Sequence, residues 1–403
     1  MTGIGLRLAG AAERQAGGLA RDRGVNVGSS RFALATPSEG LAAEWAGLAG
    51  RAAEDNLFFH PDFALPAMRA FGGGVRLAMV RGADGELIAA APVTVTRLGR
   101  IAPAARLWSH DYGPLGVPLI DRNQVETATA ALIEGLASAA SSVSLVLPDM
   151  PLDGAIAAAA RNAAGRAGRP VAVLDAHVRA MLQCRADGNA DLRAALPARR
   201  RKEFARQMRR LAELGPVAVE TAREAHAVAA RFEEFLTLEA AGWKGKRHTA
   251  LASRAATAEF GRAVVRNRAA SRTARIVSIR LGAEPIAMVV CFVEGATAYT
   301  WKIAHDERYA RFSPGAQLML EVGQGFSAYG EVERIDSCAA ADHPMIDHLW
   351  KDRLSVGTIV IGPVGGSTLH RLGLAAAAAE IKARAAYRRL RARLAPSHSK
   401  ETE

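Results

Sequence analysis

The chain has 403 residues, half of them apolar, and a formal net charge of +12. That length exceeds what one hydrophobic core usually organises, so about two or three globular domains are expected. Cys184, Cys291 and Cys338 stand far apart with no CxxC spacing, which argues against a disulfide framework or a zinc knuckle and favours a reducing compartment, the cytoplasm.

No stretch reaches the roughly 18 apolar residues of a membrane span. Gly and Ala dilute residues 1–28 too far for a signal-peptide core, so they read as a mobile leader. The charge is concentrated rather than spread. Residues 199–210 (RRRKEFARQMRR) carry seven cations against one glutamate, and residues 371–396 carry seven against Glu380, so these two segments account for the whole +12. A nearly neutral body with two basic helices is expected, each helix offering a surface to an anionic partner, either RNA or a membrane face. Nothing suggests sequence-specific DNA binding. Because both segments lie outside the strands and loops discussed below, both are expected to be separable from turnover.

After the leader, residues 44–71 show helical apolar spacing broken by His60-Pro61 and Pro66, which predicts two helices joined by a turn. Residues 75–98 hold two apolar runs around Ala83-Asp84-Gly85, a hairpin signal. The Gly/Pro-rich LWSHDYGPLGVPLI (107–120) reads as a loop. An Ala-rich helix (124–140), a strand (143–149), a helix to about 166 and the strand VAVLDAHV (171–178) complete the first half.

The second half repeats that order without residue-level similarity. A basic helix (190–213) leads to the strand VAVET after Gly215-Pro216. Helices follow at 223–240 and 249–270, then three strands in succession (ARIVSIRL, EPIAMVVCFVEG, ATAYTWKIAHD). A helix (315–329), a strand (332–339), a helix (344–353) and a strand (357–362) close the unit, and an Ala/Arg helix ends the chain.

Three stretches attract chemical interest. In RFSPGAQLML, Ser313 can cap a helix, Pro314 suits its first position, Gly315 lets backbone approach, and Arg311 adds charge. The free amides of such a helix start suit a phosphate or pyrophosphate, although strings of this kind also merely begin helices. In YTWKIAHD, Tyr299, Trp301 and Ile303 alternate with Thr300, Lys302 and Ala304, so Lys302 should face away from the aromatics and line a polar site or solvent. In LEAAGWKGKRHTAL (238–251), Gly242 should end a helix. Trp243 then either walls an acceptor site, with Lys244, Lys246 and Arg247 toward anionic groups, or anchors in the core. Glu239 is a candidate base or a partner for Lys244. Asp336, at a strand end, either orients an acceptor amine or caps backbone. Asp342 reads as a helix N-cap before His343-Pro344. Cys338 reads as packing, without a His partner at a specific spacing. The ten scattered histidines form no metal-ligand cluster, and no metal is expected.

The order of strand, helices, three-strand meander, helix, strand, helix, strand resembles the acetyltransferase fold of the GNAT superfamily. The expected fold class is therefore α/β with mixed sheets flanked by helices, two GNAT-like domains in tandem (29–185 and 186–370) followed by a basic helix and tail (371–403). LPARRRKEFARQMRRLAELG (196–215), GWKGKRHTAL, KIAHD…YARFSPG and IDSCAAADHPMIDHLWKDR (335–353) resemble CelD/BioF2-like acyltransferases, relatives of the FemAB peptidoglycan aminoacyltransferases. NLFFHPDF and LWSHDYGPLGVP carry the resemblance in the first half.

The resemblance implies transfer of an acyl group from acyl-CoA to an amine or hydroxyl of a small molecule, sugar or peptide, in exopolysaccharide, cellulose or cell-envelope synthesis. The setting is the cytoplasm or the inner membrane face. It implies that Arg311, Phe312, Ser313, Pro314, Gly315 and Gln317 hold the donor, that Trp243, Lys244 and Trp301 border the acceptor, and that Asp336, Glu239, Asp306 and Lys302 are the candidates for proton and oxyanion chemistry. An aminoacyl-tRNA donor held by 199–210, and a non-catalytic accessory module of polysaccharide assembly, are the alternatives.

Overall fold

Alternating apolar strands and tight turns build the sheet. The computed structural model describes residues 25–139, 144–184 and 192–394. Two short strands, β1 (Val25–Val27) and β2 (Ser30–Ala35), form a hairpin across Gly28, whose positive φ of 60° suits glycine. The end of the expected leader is thus a strand, and residues 1–24 lie outside the described residues. Helices α1 (Ala42–Ala49) and α2 (Pro61–Phe71) follow, the latter with His60 accepting from the Asp62 amide as its cap. The hairpin β3 (Arg76–Arg81) and β4 (Leu87–Leu98) turns at Ala83-Asp84-Gly85, as its sequence predicts. A further strand, β5 (Ala102–Leu107), was not anticipated, nor was the two-residue β6 (Leu119–Ile120) within the expected loop. Then come α3 (Val125–Ala139), β7 (Ser144–Pro151), α4 (Ala155–Arg166) and β8 (Val171–Gln183).

The second half contains α5 (Ala198–Ala212), β9 (Val217–Ala222), α6 (Ala225–Ala241), the one-turn α7 (Trp243–Lys246) and α8 (Ala255–Ala270). The meander of β10 (Ala274–Leu281), β11 (Glu284–Glu294) and β12 (Thr297–His305) leads into α9 (Pro314–Tyr329), β13 (Arg334–Asp336), β14 (Asp352–Ile361) and α10 (Thr368–Leu394). The helix expected at 344–353 is instead a 3-10 turn, Ile346–His348. Its N-cap position is Met345 rather than Asp342, and His343 Nδ1 accepts from the amides of Met345 and Ile346 at its start. Asp342 has a positive φ of 55°.

All the described strands lie in one mixed sheet, ordered β1-β2-β3-β4-β5-β7-β14-β8-β13-β12-β11-β10-β9, with β6 on β4. The last strand, β14, inserts between β7 and β8, while β8 from the first half pairs with β13, Leu182 opposite Ile335. Each half thus lends a strand to the middle. The apolar end of β14 (Val356, Ile359, Val360, Ile361) is fully buried, as an interior strand covered on both faces requires.

The two faces carry separate cores in the second half. One, toward α6 and α8, holds Phe232, Phe235, Phe260, Met288, Val290, Phe292, Tyr299 and Trp301 and runs on into the first half. The other, beneath α9 and α5, holds Phe204, Leu211, Val289, Cys291, Leu318, Leu320 and Phe326. The basic α10 does not stand free at its start. Its Leu374 and Ala377 cover Leu98, Ala102, Ala104, Val146 and Val360, and His370 bonds to the Ser144 hydroxyl at 2.8 Å. Gly373 packs so closely on β4 that a Cβ there would lie 2.9 Å from the Leu98 carbonyl oxygen. None of the described helices is long and apolar enough to cross a membrane.

Candidate active site

β12 pairs with β11 along its whole length but with β13 only where Thr297–Tyr299 face Arg334–Asp336. Beyond Tyr299 the two strands part, which leaves the edge of β12 from Thr300 to His305 open. Within that stretch the register with β11 slips: Thr300 faces Cys291, Lys302 faces Val290, and Trp301 is the extra residue of a β-bulge. Cross-strand neighbours share a face. Lys302, opposite Val290, therefore points to the same side as Tyr299 and Trp301, whereas Ile303, opposite Val289, points to α9. The simple alternation placed Lys302 away from the aromatics, and the bulge reverses that.

The neighbours of Lys302 come from the first half of the chain. Its Nζ sits 4.5 Å from the centre of the Tyr112 ring, and Trp301 Nε1 donates to the Tyr112 carbonyl at 2.9 Å. Among the described residues the amine has no hydrogen-bond or ion-pair acceptor. Burial lowers its pKa from 10.5 to about 8; Glu239 and Asp111 oppose that shift and Lys244 adds to it. A half-buried lysine with that value can both hold and release a proton near neutrality.

The GWKG stretch crosses the open edge of β12. Glu239 is fully buried, accepting from Lys244 Nζ at 3.1 Å and from the Leu251 amide at 2.8 Å. Lys244 also donates to the Ile303 carbonyl at 2.7 Å, so both its charge and that of Glu239 are engaged. Gly242 ends α6 as expected. Trp243 is 37% exposed, with Arg247 over its ring at 5.3 Å, which removes the core-anchor reading. Lys246 pairs with Glu307 at 2.6 Å.

On the opposite face lies the start of α9. Ser313 is in the left-handed region (φ 51°) and its side chain caps nothing, contrary to its expected role; Pro314 takes the first helical position. The amides of Gly315 and Ala316, in the first turn, have no intrahelical acceptor. A Cβ on Gly315 would meet Met345 Sδ at 3.5 Å and His305 Nδ1 at 3.6 Å, so there is little room for a larger side chain. Arg311 is exposed and stacks on the buried Phe312 at 4.8 Å. Gln317 is buried, accepting from Arg193 at 2.9 Å and donating to the Phe204 carbonyl at 3.1 Å, so it ties α9 to α5 rather than facing a ligand. His305 borders this turn, and burial lowers its pKa, which keeps the ring neutral at pH 7. A cavity of about 400 Å3 opens between Ser313 and the first turns of α5. The basic segment 199–210 is therefore adjacent to the loop, not separate from it.

Two of the expected carboxylates lie elsewhere. Asp336 is buried, accepting from Arg179 at 2.5 Å and from the Cys338 amide at 2.9 Å, and Arg179 in turn donates to the Pro114 carbonyl. This ion pair ties β8 to β13 and offers no free proton acceptor. Asp306 caps a 3-10 turn (Glu307–Phe312), and hydrogen bonding to Arg308 holds its carboxyl below the usual range. Burial pushes the Cys338 thiol well above its ordinary value, which leaves it unreactive. Among the described residues no group of three or more His, Cys, Asp or Glu could hold a metal ion.

The structure thus brings together Lys302, Trp301, Lys244 and Glu239 on one face and Ser313–Gly315 on the other. Tyr112, Asp111 and His305 were missed. SHDYGP was visible as an unusual loop, but nothing local indicated that it reaches the other half of the chain.

Residues 198–344 match the sequence model of the acetyltransferase (GNAT) domain family. No curated protein matches the chain. Among solved structures, that of FemX aligns with a TM-score of 0.52 at 11% identity, over 80% of this chain and 96% of FemX. The C-terminal domain of a putative lysylphosphatidylglycerol synthetase from Agrobacterium fabrum aligns at 0.50 and 11% identity, over 83% of this chain and 95% of that one. At such identities the likeness is one of fold, and it spans both halves. Fold and site together define a mixed α/β chain with one large sheet flanked by helices, in which residues 198–344 carry the match to the GNAT domain.

Proposed function

We propose that the chain is an N-acyltransferase of the acyl-CoA-dependent kind, acting on an amine of a sugar, peptide or small molecule in envelope or exopolysaccharide synthesis. The observation that carries this reading is the parting of β12 from β13 beside the first turn of α9. A donor on the α9 face meets the free Gly315 and Ala316 amides and Arg311, and its thioester reaches through the gap. The acceptor enters from the α6–α8 face, between Trp243, Tyr112 and Lys302. Attack by the amine nitrogen forms a C–N bond and breaks the C–S bond. An open-edge amide of β12 takes the developing oxyanion charge. An alkylamine is mostly protonated at pH 7, so a base must take its proton. Lys302 in its free-amine form, about a tenth of the population at pH 7 for a pKa near 8, accepts one ammonium proton and returns it to the departing sulfur, while the second proton the nitrogen loses on becoming an amide goes to solvent. Glu239 positions Lys244 and leaves Lys302 free.

A second reading has an aminoacyl group delivered from tRNA. The fold likeness to FemX over nearly all of that chain, and the seven cations at 199–210, favour it. Calorimetry with coenzyme A and acetyl-CoA, followed by thiol-release assays across amino sugars and peptides, separates the two. Coenzyme A binding that is lost in Gly315→Val supports the first. No binding of coenzyme A, with transfer from aminoacylated RNA, replaces it with the second.

A further inference from the structure

The cavity between α5 and Ser313 has a chemical character that the transfer reaction leaves unused. Four consecutive cations open α5, and the structure sorts them. Arg201 turns back to the Ala194 carbonyl at 3.1 Å. Arg199 and Arg200 line the cavity and, among the described residues, neither has a carboxylate partner. Arg200 stacks on Phe204 at 5.6 Å. Glu203 also lines the cavity, but its carboxylate is occupied by Arg206 at 2.7 and 3.0 Å and by the Gln207 amide at 3.2 Å. The cavity therefore presents two uncompensated guanidinium groups beside the positive end of a 16-residue helix, α9.

A second feature narrows the ligand. Gln207 also lines the cavity, and its Oε1 is buried with no donor among the described residues. A buried acceptor without a partner is costly, and a ligand N–H would satisfy it. Two guanidiniums match a dianion better than a single phosphodiester charge, and a phosphomonoester carries about −1.5 to −2 at pH 7. A volume of about 400 Å3 suits a nucleotide rather than a bare ion.

We infer that this cavity holds the nucleotide end of the donor, with Arg199 and Arg200 gripping a terminal phosphomonoester and Gln207 accepting from an exocyclic amine of the base. The inference rests on the donor reading above and assigns part of the same ligand to α5, a helix outside the sheet. Its chemistry matches the 3′-phosphorylated adenosine of coenzyme A.

The test is calorimetry on the full chain with coenzyme A and with 3′-dephospho-coenzyme A, in the parent, in Arg199→Ala/Arg200→Ala and in Gly315→Val. The expected result is a preference of tenfold or more for the phosphorylated form in the parent. The double variant should lose that preference while binding the dephospho form as the parent does, and Arg→Lys at both positions should restore part of it. Arg199 is exposed and Arg200 half-buried against Phe204, so the double variant should stay folded with at most a small drop in melting temperature. Equal binding of the two forms by the parent, or a preference that survives in the double variant, overturns the inference; if Gly315→Val still abolishes binding, the donor reading stands without it. Failure of the parent to bind either form overturns both. Tighter binding of an RNA hairpin than of coenzyme A, lost in the double variant, gives α5 to RNA and likewise overturns the inference.

Discussion

In the first half β5 pairs with β7 only from Ala104 to Arg106, opposite Ser144 to Val146; in the second, β12 pairs with β13 only from Thr297 to Tyr299. Both strand pairs then separate, but the gaps are used differently. The first is filled by the segment that follows β5. Trp108 donates its amide to the Pro92 carbonyl on β4, Gly116 donates to Asp149 on β7, and Asn56 holds the Leu115 and Val117 carbonyls. Glycine is required at 116, where a Cβ would lie 2.0 Å from the Pro148 carbonyl oxygen. In the second half the segment after β12 makes a short 3-10 helix (Glu307–Phe312) and starts α9 at once, so the edge of β12 stays open. The same topology thus gives a sealed unit or an open one, depending on what the connection after the strand does. The sealed unit still contributes, because its filling segment presents Tyr112 to Lys302.

The sharpest way to break this comparison is at Lys302. Lys302→Met should lower kcat by about 10²–10⁴, the usual worth of a positioned proton-transfer group. In the parent, kcat should rise with pH and level off above about 8, the value to which burial brings this amine. The variant should lack that limb. A pH–rate profile of the variant that keeps it would assign the base elsewhere.

Removal of residues 371–403 comes next. It uncovers Leu98, Val146 and Val360, each worth about 1.5–3 kcal/mol when buried. The melting temperature should fall by many degrees, because the start of α10 is part of the packed fold, while turnover at low temperature should survive if the segment is separable from catalysis. A truncated protein with the parent melting curve would show that the α10 cover adds nothing.

Gly116→Ala tests the sealed gap. The added methyl cannot fit without backbone movement, and overpacking of this kind costs about 1–3 kcal/mol. The denaturant midpoint should drop while donor affinity, set in the other half, is unchanged in the folded protein. A loss of donor affinity at equal stability would mean that the first half holds part of the donor.

The smallest effect on stability is expected for Trp243→Ala. A side chain this exposed should change stability within about 0.5 kcal/mol, and the acceptor KM should rise with donor affinity kept. A sharp fall in melting temperature with unchanged kinetics would return Trp243 to a packing role.

Much of the fold was legible from the chain. The Ala83-Asp84-Gly85 turn, the meander at 274–305, the Ser-Pro-Gly helix start and the Gly242 stop are local signals, and backbone preference and apolar periodicity act over a few residues. β5, with Pro103 and several alanines, lacks the β-branched run that marks a strand. The expected helix at 344–353 gave way to β14, whose first residues pair with β8, a partner some 170 positions away. The side on which Lys302 falls was undecidable, because YTWKIAH alternates equally well with or without a bulge, and only pairing with β11 fixes where the extra residue goes. Asp336 met Arg179, and Lys302 met Tyr112, for the same reason. Element type is encoded by neighbours in sequence, whereas register, strand exchange and the partners of a buried charge are settled by desolvation and packing between segments that the chain keeps far apart.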